Sequence, residues 1–178
     1  MGWWQRLVSW WGLGGPDAAT RRAVSALDLS EKDRVCELGF GFGITLPHLL
    51  AALPEGQVLA VDPSPEMVRL ASRQYRPWVQ SGQLQLIEAS TSRTPVPAGS
   101  VSRVVTVDAA HRWSDLEATF GEAARVLTPE GRLVAVLSPD QPPGTPDACV
   151  EALCRVGFAV AVSDEPDGSL LMVGSPLR

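Results

Sequence analysis

Val35-Cys36-Glu37-Leu38-Gly39-Phe40-Gly41-Phe42-Gly43-Ile44-Thr45-Leu46 decides how this chain reads. A short apolar run carries Glu37 near its end, glycines then alternate with bulky residues at 39, 41 and 43, and a helical pattern follows. Three glycines in five positions are costly to order, because glycine loses more backbone freedom on folding than any other residue. They make sense where the chain turns sharply and a ligand lies against backbone that carries no Cβ. A strand feeding a helix through such a turn is where open α/β sheets seat nucleotide-type cofactors.

Outward from this turn, strand and helix signals alternate. Arg34 to Leu38 predicts a strand, and Ile44 to Leu53 a helix in which Pro47 fits only the opening turn. Val58 to Val61 predicts a second strand ended by Asp62, and Ser64 caps a helix with Pro65 first, running to about Tyr75. Leu84 to Glu88 and Val101 to Val107 follow as strands. Ser114 and Glu117 form a capping box opening a helix to Leu127, and Thr128 to Gly131 turns into a fifth strand, Arg132 to Leu137. The proline-rich 138–146 stretch predicts a loop and Pro146 to Val156 a helix ended by Gly157. Phe158 to Ser163 and Ser169 to Gly174 read as a hairpin through Pro166-Asp167-Gly168. On the amino-terminal side, Asp17 is placed to cap a helix to Leu27 with Ala19, Ala23, Val24 and Leu27 inward. This alternation is the signature of an α/β, doubly wound, mostly parallel sheet covered on both faces.

At 178 residues the chain fits one globular domain, read as a core over 29–178 with an N-terminal helical cover segment over 1–28. A net charge of −5 lacks the clustered basic footprint of a nucleic-acid binder, so no nucleic-acid partner is expected. Cys36, Cys149 and Cys154 are odd in number with no CxxC pair, and only His48 and His111 are present. That composition suggests no disulfide framework, no metal site and a reducing, cytoplasmic setting. His48, one turn into a helix beside Leu49, reads as structural. No apolar run approaches a membrane span, and stable membrane insertion is not expected. Trp3, Trp4, Trp10 and Trp11 crowd the start of the chain. They fit a helix packed on the domain or over its ligand, a shallow membrane-surface anchor with Arg6 as its one cation, or a homo-oligomer contact.

Four segments in this order resemble the class I S-adenosylmethionine-dependent methyltransferases, in particular the small type 11-like methyltransferase domains: V-C-E-L-G-F-G-F-G, V-L-A-V-D-P-S-P-E-M, P-V-P-A-G-S-V and E-A-A-R-V-L-T-P-E-G-R-L-V. The resemblance covers about Leu29 to Leu137, with the closing hairpin also matching. It implies a Rossmann-like sheet of seven strands, six parallel and the last antiparallel, and S-adenosylmethionine as cofactor with S-adenosylhomocysteine as product.

The resemblance also assigns residues. Glu37 stands where the family's acidic residue meets the cofactor's amino group, and Gly39, Gly41 and Gly43 form the shelf for its methionine and ribose parts. Asp62, at the carboxyl end of the second strand, can accept from both ribose hydroxyls, as the matching family residue does. Pro63 and Met67 fall near the adenine, although Met67 suits a core position equally. Ser90-Thr91 occupies the place of the family's Asp-Ala pair, so the contact to the adenine amino group lacks charge assistance. Asp108 and His111, in V-D-A-A-H-R-W, would border the transfer site, with His111 as proton acceptor because imidazole titrates near neutral pH; a packing or surface histidine is the competing reading. Trp113 reads as core.

The function expected is methyl transfer to a small-molecule acceptor. A nicotinamide-dependent oxidoreductase is disfavoured, since the third glycine comes one residue early for G-x-G-x-x-G and Glu37 would repel a pyrophosphate. A catalytically silent cofactor-binding or interaction module is the other alternative, kept open by the altered adenine position and the Trp-rich start.

Overall fold

The structure, a computed structural model, describes residues 15–177. The Trp-rich stretch at 1–14, with the cover and oligomer contact expected of it, lies outside the described residues. Helix α1 (Gly15–Ala26) leads into β1 (Arg34–Leu38), α2 (Leu46–Ala52), β2 (Gln57–Asp62) and α3 (Pro65–Gln74). A short α4 (Arg76–Ser81) precedes β3 (Leu84–Glu88) and β4 (Val101–Val107). A 3₁₀ turn (Ala110–Arg112), α5 (Leu116–Val126), β5 (Leu127–Leu137), α6 (Thr145–Arg155), β6 (Phe158–Asp164) and β7 (Leu170–Pro176) complete the chain.

The seven strands lie in the order β3-β2-β1-β4-β5-β7-β6. β1 pairs in parallel with β2 and β4, while β7 runs antiparallel to both β5 and β6. The chain works outward from β1 to β3 and then crosses to the other side of β1. That reversal opens a crevice at the carboxyl ends of β1 and β4, where ligands of such sheets bind.

Covering both faces requires strands that are apolar on both sides, and they are. Cys36, Leu38, Leu59 and Val61 pack with Phe120 and Leu153 on one face. Val35, Val58, Ala60 and Val105 pack with Ala23, Leu27 and Leu49 on the other. Strand alternation places Glu37 on the Val35 side, under α1 and α2. Cys36 belongs wholly to the packing: burial and the neighbouring Glu37 and Glu122 charges push its thiol up to about 12.

Helix α1 is fixed at its carboxyl end and at its middle. Its last carbonyls, which a helix end leaves without partners, are taken by arginines from the sheet. Arg103 donates to the carbonyls of Leu27 (2.6 Å) and Asp28 (2.9 Å), and Arg132 to that of Ala26 (3.0 Å). Further back, Arg22 pairs with Asp167 and donates to Ser169 Oγ (3.0 Å) on the β6–β7 turn. Among the described residues no helix is long and apolar enough to cross a membrane.

Several expectations need correction. Helix α1 begins at Gly15, so Asp17 lies inside it rather than before it. Helix α2 begins at Leu46, leaving Ile44 in the loop, because Pro47 must occupy the first turn. Asp115, not Ser114, caps α5, its carboxylate accepting from Ala118 N–H at 2.8 Å; a charged cap at the positive helix end outcompetes the neighbouring hydroxyl. Thr128 to Gly131 does not precede β5 but bulges within it: Val101 aligns with Leu127 and Arg103 with Arg132. Helix α4 was not expected, since six residues closed by Gly82 are too few to show a periodicity.

Candidate functional site

After β1 the chain reverses through residues 39–45 into α2. Gly39 adopts φ +78°, and a Cβ there would lie 2.7 Å from the Ala109 Cβ, so the loop packs directly on the exit of β4. Gly41 adopts φ +52° and a Cβ there would meet nothing within 4 Å. The first glycine serves packing and the second keeps a shelf open. Asp62 ties this loop to the next one. Its Oδ2 accepts from Gly41 N–H (2.8 Å) and its Oδ1 from Ser64 N–H (2.9 Å). Ser64 in turn caps α3 through Met67 N–H (3.4 Å), and Tyr75 donates to the Gly43 carbonyl (2.8 Å).

Glu37 is only 2% exposed, and its Oε2 has no hydrogen-bond partner. Burial pushes its carboxyl up to about 8; the Thr45 hydroxyl restrains the rise and the Asp62 charge adds to it. A buried carboxylate oxygen without a partner is costly, unless a group that is itself charged comes to meet it.

Across the cleft, Asp108 ends β4 with φ +52°, a left-handed conformation that aspartate tolerates better than most residues. Its Oδ1 accepts from Ser138 N–H (2.5 Å) and Gln141 Nε2 (3.4 Å), fixing the carboxylate at the mouth of β5. Burial raises the Asp108 carboxyl above its ordinary value, although the Ser138 bonds and the His111 and Arg112 charges pull the other way. His111 is exposed on the 3₁₀ turn, where its Nε2 accepts from Arg112 Nε at 3.4 Å. Trp113 packs edge-on against Phe120, ring centroids 5.4 Å apart, and is half-buried beside the core.

A cleft of about 220 Å³ brings Glu37, Gly39, Gly41 and Asp108 together. His111 is not among its lining residues. Asp62 stands on the adjacent strand tip, in register with Glu88 at the end of β3, and Ser90 and Thr91 follow directly. Ser90 is exposed and shares a 2.9 Å hydrogen bond with Ser92, whereas Thr91 is buried. Pro63 is exposed, and Met67 is half-buried against the α2–α3 side of the core.

Three polar cleft residues escaped the sequence reading: Thr20, Thr45 and Arg112. Thr20 left a trace, being the hydroxyl on the face that also carries Ala23, Val24 and Leu27. Arg112 left none, because only the 3₁₀ turn sets it at the rim of the cleft. The assembled site offers one buried acceptor for a cation, a shelf without side chains, and a second carboxylate opposite.

A demethylmenaquinone methyltransferase of Thermus thermophilus is 32% identical over 125 residues, covering 70% of this chain and 56% of that protein. The uncharacterized methyltransferase YdaC of Bacillus subtilis is 25% identical over 124 residues, covering 70% of this chain and 66% of that one. The chain thus spans between about half and two-thirds of these curated relatives. The crystal structure of a SAM dependent methyltransferase from Aquifex aeolicus shares the fold, with a TM-score of 0.77 at 19% identity over 94% of this chain and 96% of that one. The family model for the methyltransferase domain matches residues 36–135, more than half of the sequence, and the chain belongs to that family.

Proposed function

We propose that the chain binds S-adenosylmethionine across the tips of β1 and β2 and transfers its methyl group to a small-molecule acceptor. One observation carries this reading: the buried Glu37 carboxylate keeps an unpartnered oxygen beside a glycine shelf that no side chain fills. The residues fit the cofactor. Glu37 suits its ammonium group, and Gly41 would let its sulfonium and ribose lie close to backbone, while Gly39 and Gly43 hold the turn against Ala109, Leu46 and Tyr75. Asp62 retains lone pairs beyond those used by Gly41 and Ser64, enough to accept from ribose hydroxyls. Pro63 and Met67 would flank the adenine, and Ser90 and Thr91 would meet its edge.

Bound S-adenosylmethionine supplies a methyl group already activated on sulfonium. What remains for the protein is alignment, and holding two reactants in line can contribute about 7–11 kcal/mol. Asp108, raised above its ordinary carboxyl range and fixed by Ser138 and Gln141, is placed to take a proton from an acceptor hydroxyl. His111 would serve only an acceptor that extends past the cleft to the exposed 3₁₀ turn. A small-molecule acceptor is supported by the net charge of −5 and by the named quinone substrate of the Thermus relative. An odd number of cysteines without a CxxC pair supports a cytoplasmic setting.

Thermal unfolding with S-adenosylhomocysteine, against NADH, tests the binding. A midpoint that rises with S-adenosylhomocysteine alone is expected; a rise with NADH alone would replace this reading with the oxidoreductase one. Incubation with methyl-labelled cofactor and a panel of quinols, phenols and thiols then tests transfer. Binding without transfer to any acceptor class would leave a silent binding module in its place.

A further inference from the structure

The cleft holds a second buried polar atom without a partner, and it comes from outside the family-matched stretch. Thr20 of α1 is 1% exposed, lines the same cleft as Glu37, and its Oγ1 makes no hydrogen bond. A helical Ser or Thr ordinarily returns its hydroxyl to the carbonyl one turn back. Ser72 does so to Val68 (2.7 Å) and Thr119 to Asp115 (3.0 Å). Thr20 does not, and leaving a buried hydroxyl unsatisfied costs stability that a valine would recover.

Nor is this a loose position. Arg103 and Arg132 hold the carboxyl end of α1, and Arg22 anchors its middle to the β6–β7 turn. Of the side-chain donors lining the cleft, Thr45 is engaged by Glu37 and Arg112 is exposed, which leaves the Thr20 hydroxyl as the buried donor to spare. An α-amino acid group presents an ammonium and a carboxylate side by side. Glu37 can meet the first only, because two carboxylates repel.

We infer that Thr20 is a ligand-binding residue that donates to the carboxylate of the cofactor's amino-acid end, so that α1 and β1 together read both charges of that group. This rests on the proposed S-adenosylmethionine site and deepens it. It also makes α1 part of the binding surface rather than a cover over it.

The test is calorimetric titration of the full chain with S-adenosylmethionine, decarboxylated S-adenosylmethionine and 5′-methylthioadenosine, for the wild type, Thr20→Val and Thr20→Ser. Thr20→Val is expected to weaken S-adenosylmethionine about tenfold, the effect of losing one hydrogen bond to a charged group. Both ligands lacking the carboxylate should change less than twofold, Thr20→Ser should restore most of the loss, and the unfolding midpoint of free Thr20→Val should be unchanged or higher. An unchanged affinity for S-adenosylmethionine, or an equal loss for all three ligands, overturns the inference. A loss shared by S-adenosylmethionine and its decarboxylated form, sparing methylthioadenosine, moves Thr20 to the ammonium and overturns the carboxylate assignment. Should the wild type bind none of the three, the cofactor reading fails first and takes this one with it.

Discussion

Among the described residues two glutamates are buried, and they are treated in opposite ways. Glu122 on α5 is fully partnered: its Oε1 accepts from Thr94 N–H (2.7 Å), Thr94 Oγ1 (2.6 Å) and Arg125 (2.7 Å), and its Oε2 from Arg125 Nε (2.7 Å). Arg125 carries the clamp on to the Val96 carbonyl at 2.6 Å, pinning the loop before β4. Burial would raise the Glu122 carboxyl, but Arg125 and Thr94 outweigh it and hold it below its ordinary value. Glu37, more deeply enclosed, has one hydroxyl beside it and is pushed up to about 8. A satisfied buried charge builds structure; an unsatisfied one stores free energy that only a ligand can release.

The comparison breaks most sharply through binding. Asp62→Ala, which removes the proposed ribose acceptors and frees the Gly41 and Ser64 N–H groups, is expected to bring S-adenosylhomocysteine affinity below calorimetric detection. Glu37→Gln should weaken it about 30- to 100-fold, in line with loss of a charge-assisted hydrogen bond. The free Glu37→Gln protein should be no less stable than the wild type. Near-native affinity in either variant removes the corresponding assignment.

Glu122→Gln is the mirror experiment. It strips Arg125 and Thr94 of a charged partner and should lower unfolding free energy by about 2–3 kcal/mol in urea, with cofactor affinity within twofold of wild type. A variant that keeps its stability yet loses the cofactor would place Glu122 in the wrong class.

Proton linkage sharpens the contrast. The folded Glu37 carboxyl lies above its ordinary 4.5, so the stability it allows is complete below about 4.5 and is lost as pH rises toward about 8. Glu122, held low, contributes stability above 4.5 that disappears as pH falls through its folded value. Urea titrations at pH 3.5, 4.5, 6 and 8.5 should therefore show an optimum near 4.5, and Glu37→Gln should remove the decline on the alkaline side. Near pH 6.5, binding of S-adenosylhomocysteine should release close to one proton, measured from calorimetry in buffers of different ionisation enthalpy. Absence of that release would mean that Glu37 already carries its charge in the free protein.

The smallest effect lies in the loop. Gly41→Ala meets open space and should cost only about 1–2 kcal/mol for its left-handed backbone, whereas Gly39→Ala adds a contact with Ala109 and should cost more. Equal unfolding midpoints for the two variants would contradict this division of roles.

Much of this architecture could be read directly. The strands at 34–38, 84–88 and 101–107 fall where their apolar runs predict, because a sheet covered on both faces demands continuous hydrophobicity. The capping of α3 by Ser64 and the β6–β7 turn at Pro166-Asp167-Gly168 were equally legible, since both are set by interactions within a few residues. Less was legible where short-range preferences compete or span too little chain. Asp115 displaced Ser114 as cap, α4 went unseen, and β5 begins five residues early around a bulge that depends on its pairing with β4.

For the site, the sequence by itself singled out the glycine turn, Glu37 and Asp62 as candidates, because they follow one another in a fixed order along the chain at the ends of β1 and β2. The tertiary structure alone decided three further things. It left the Glu37 oxygen without a partner, swung His111 out to solvent while turning Asp108 inward, and delivered Thr20 from a helix outside the matched region. The reason is physical: a carboxylate's burial, a side chain's direction and a hydroxyl's missing partner are properties of which distant segments pack together, and no local pattern encodes them.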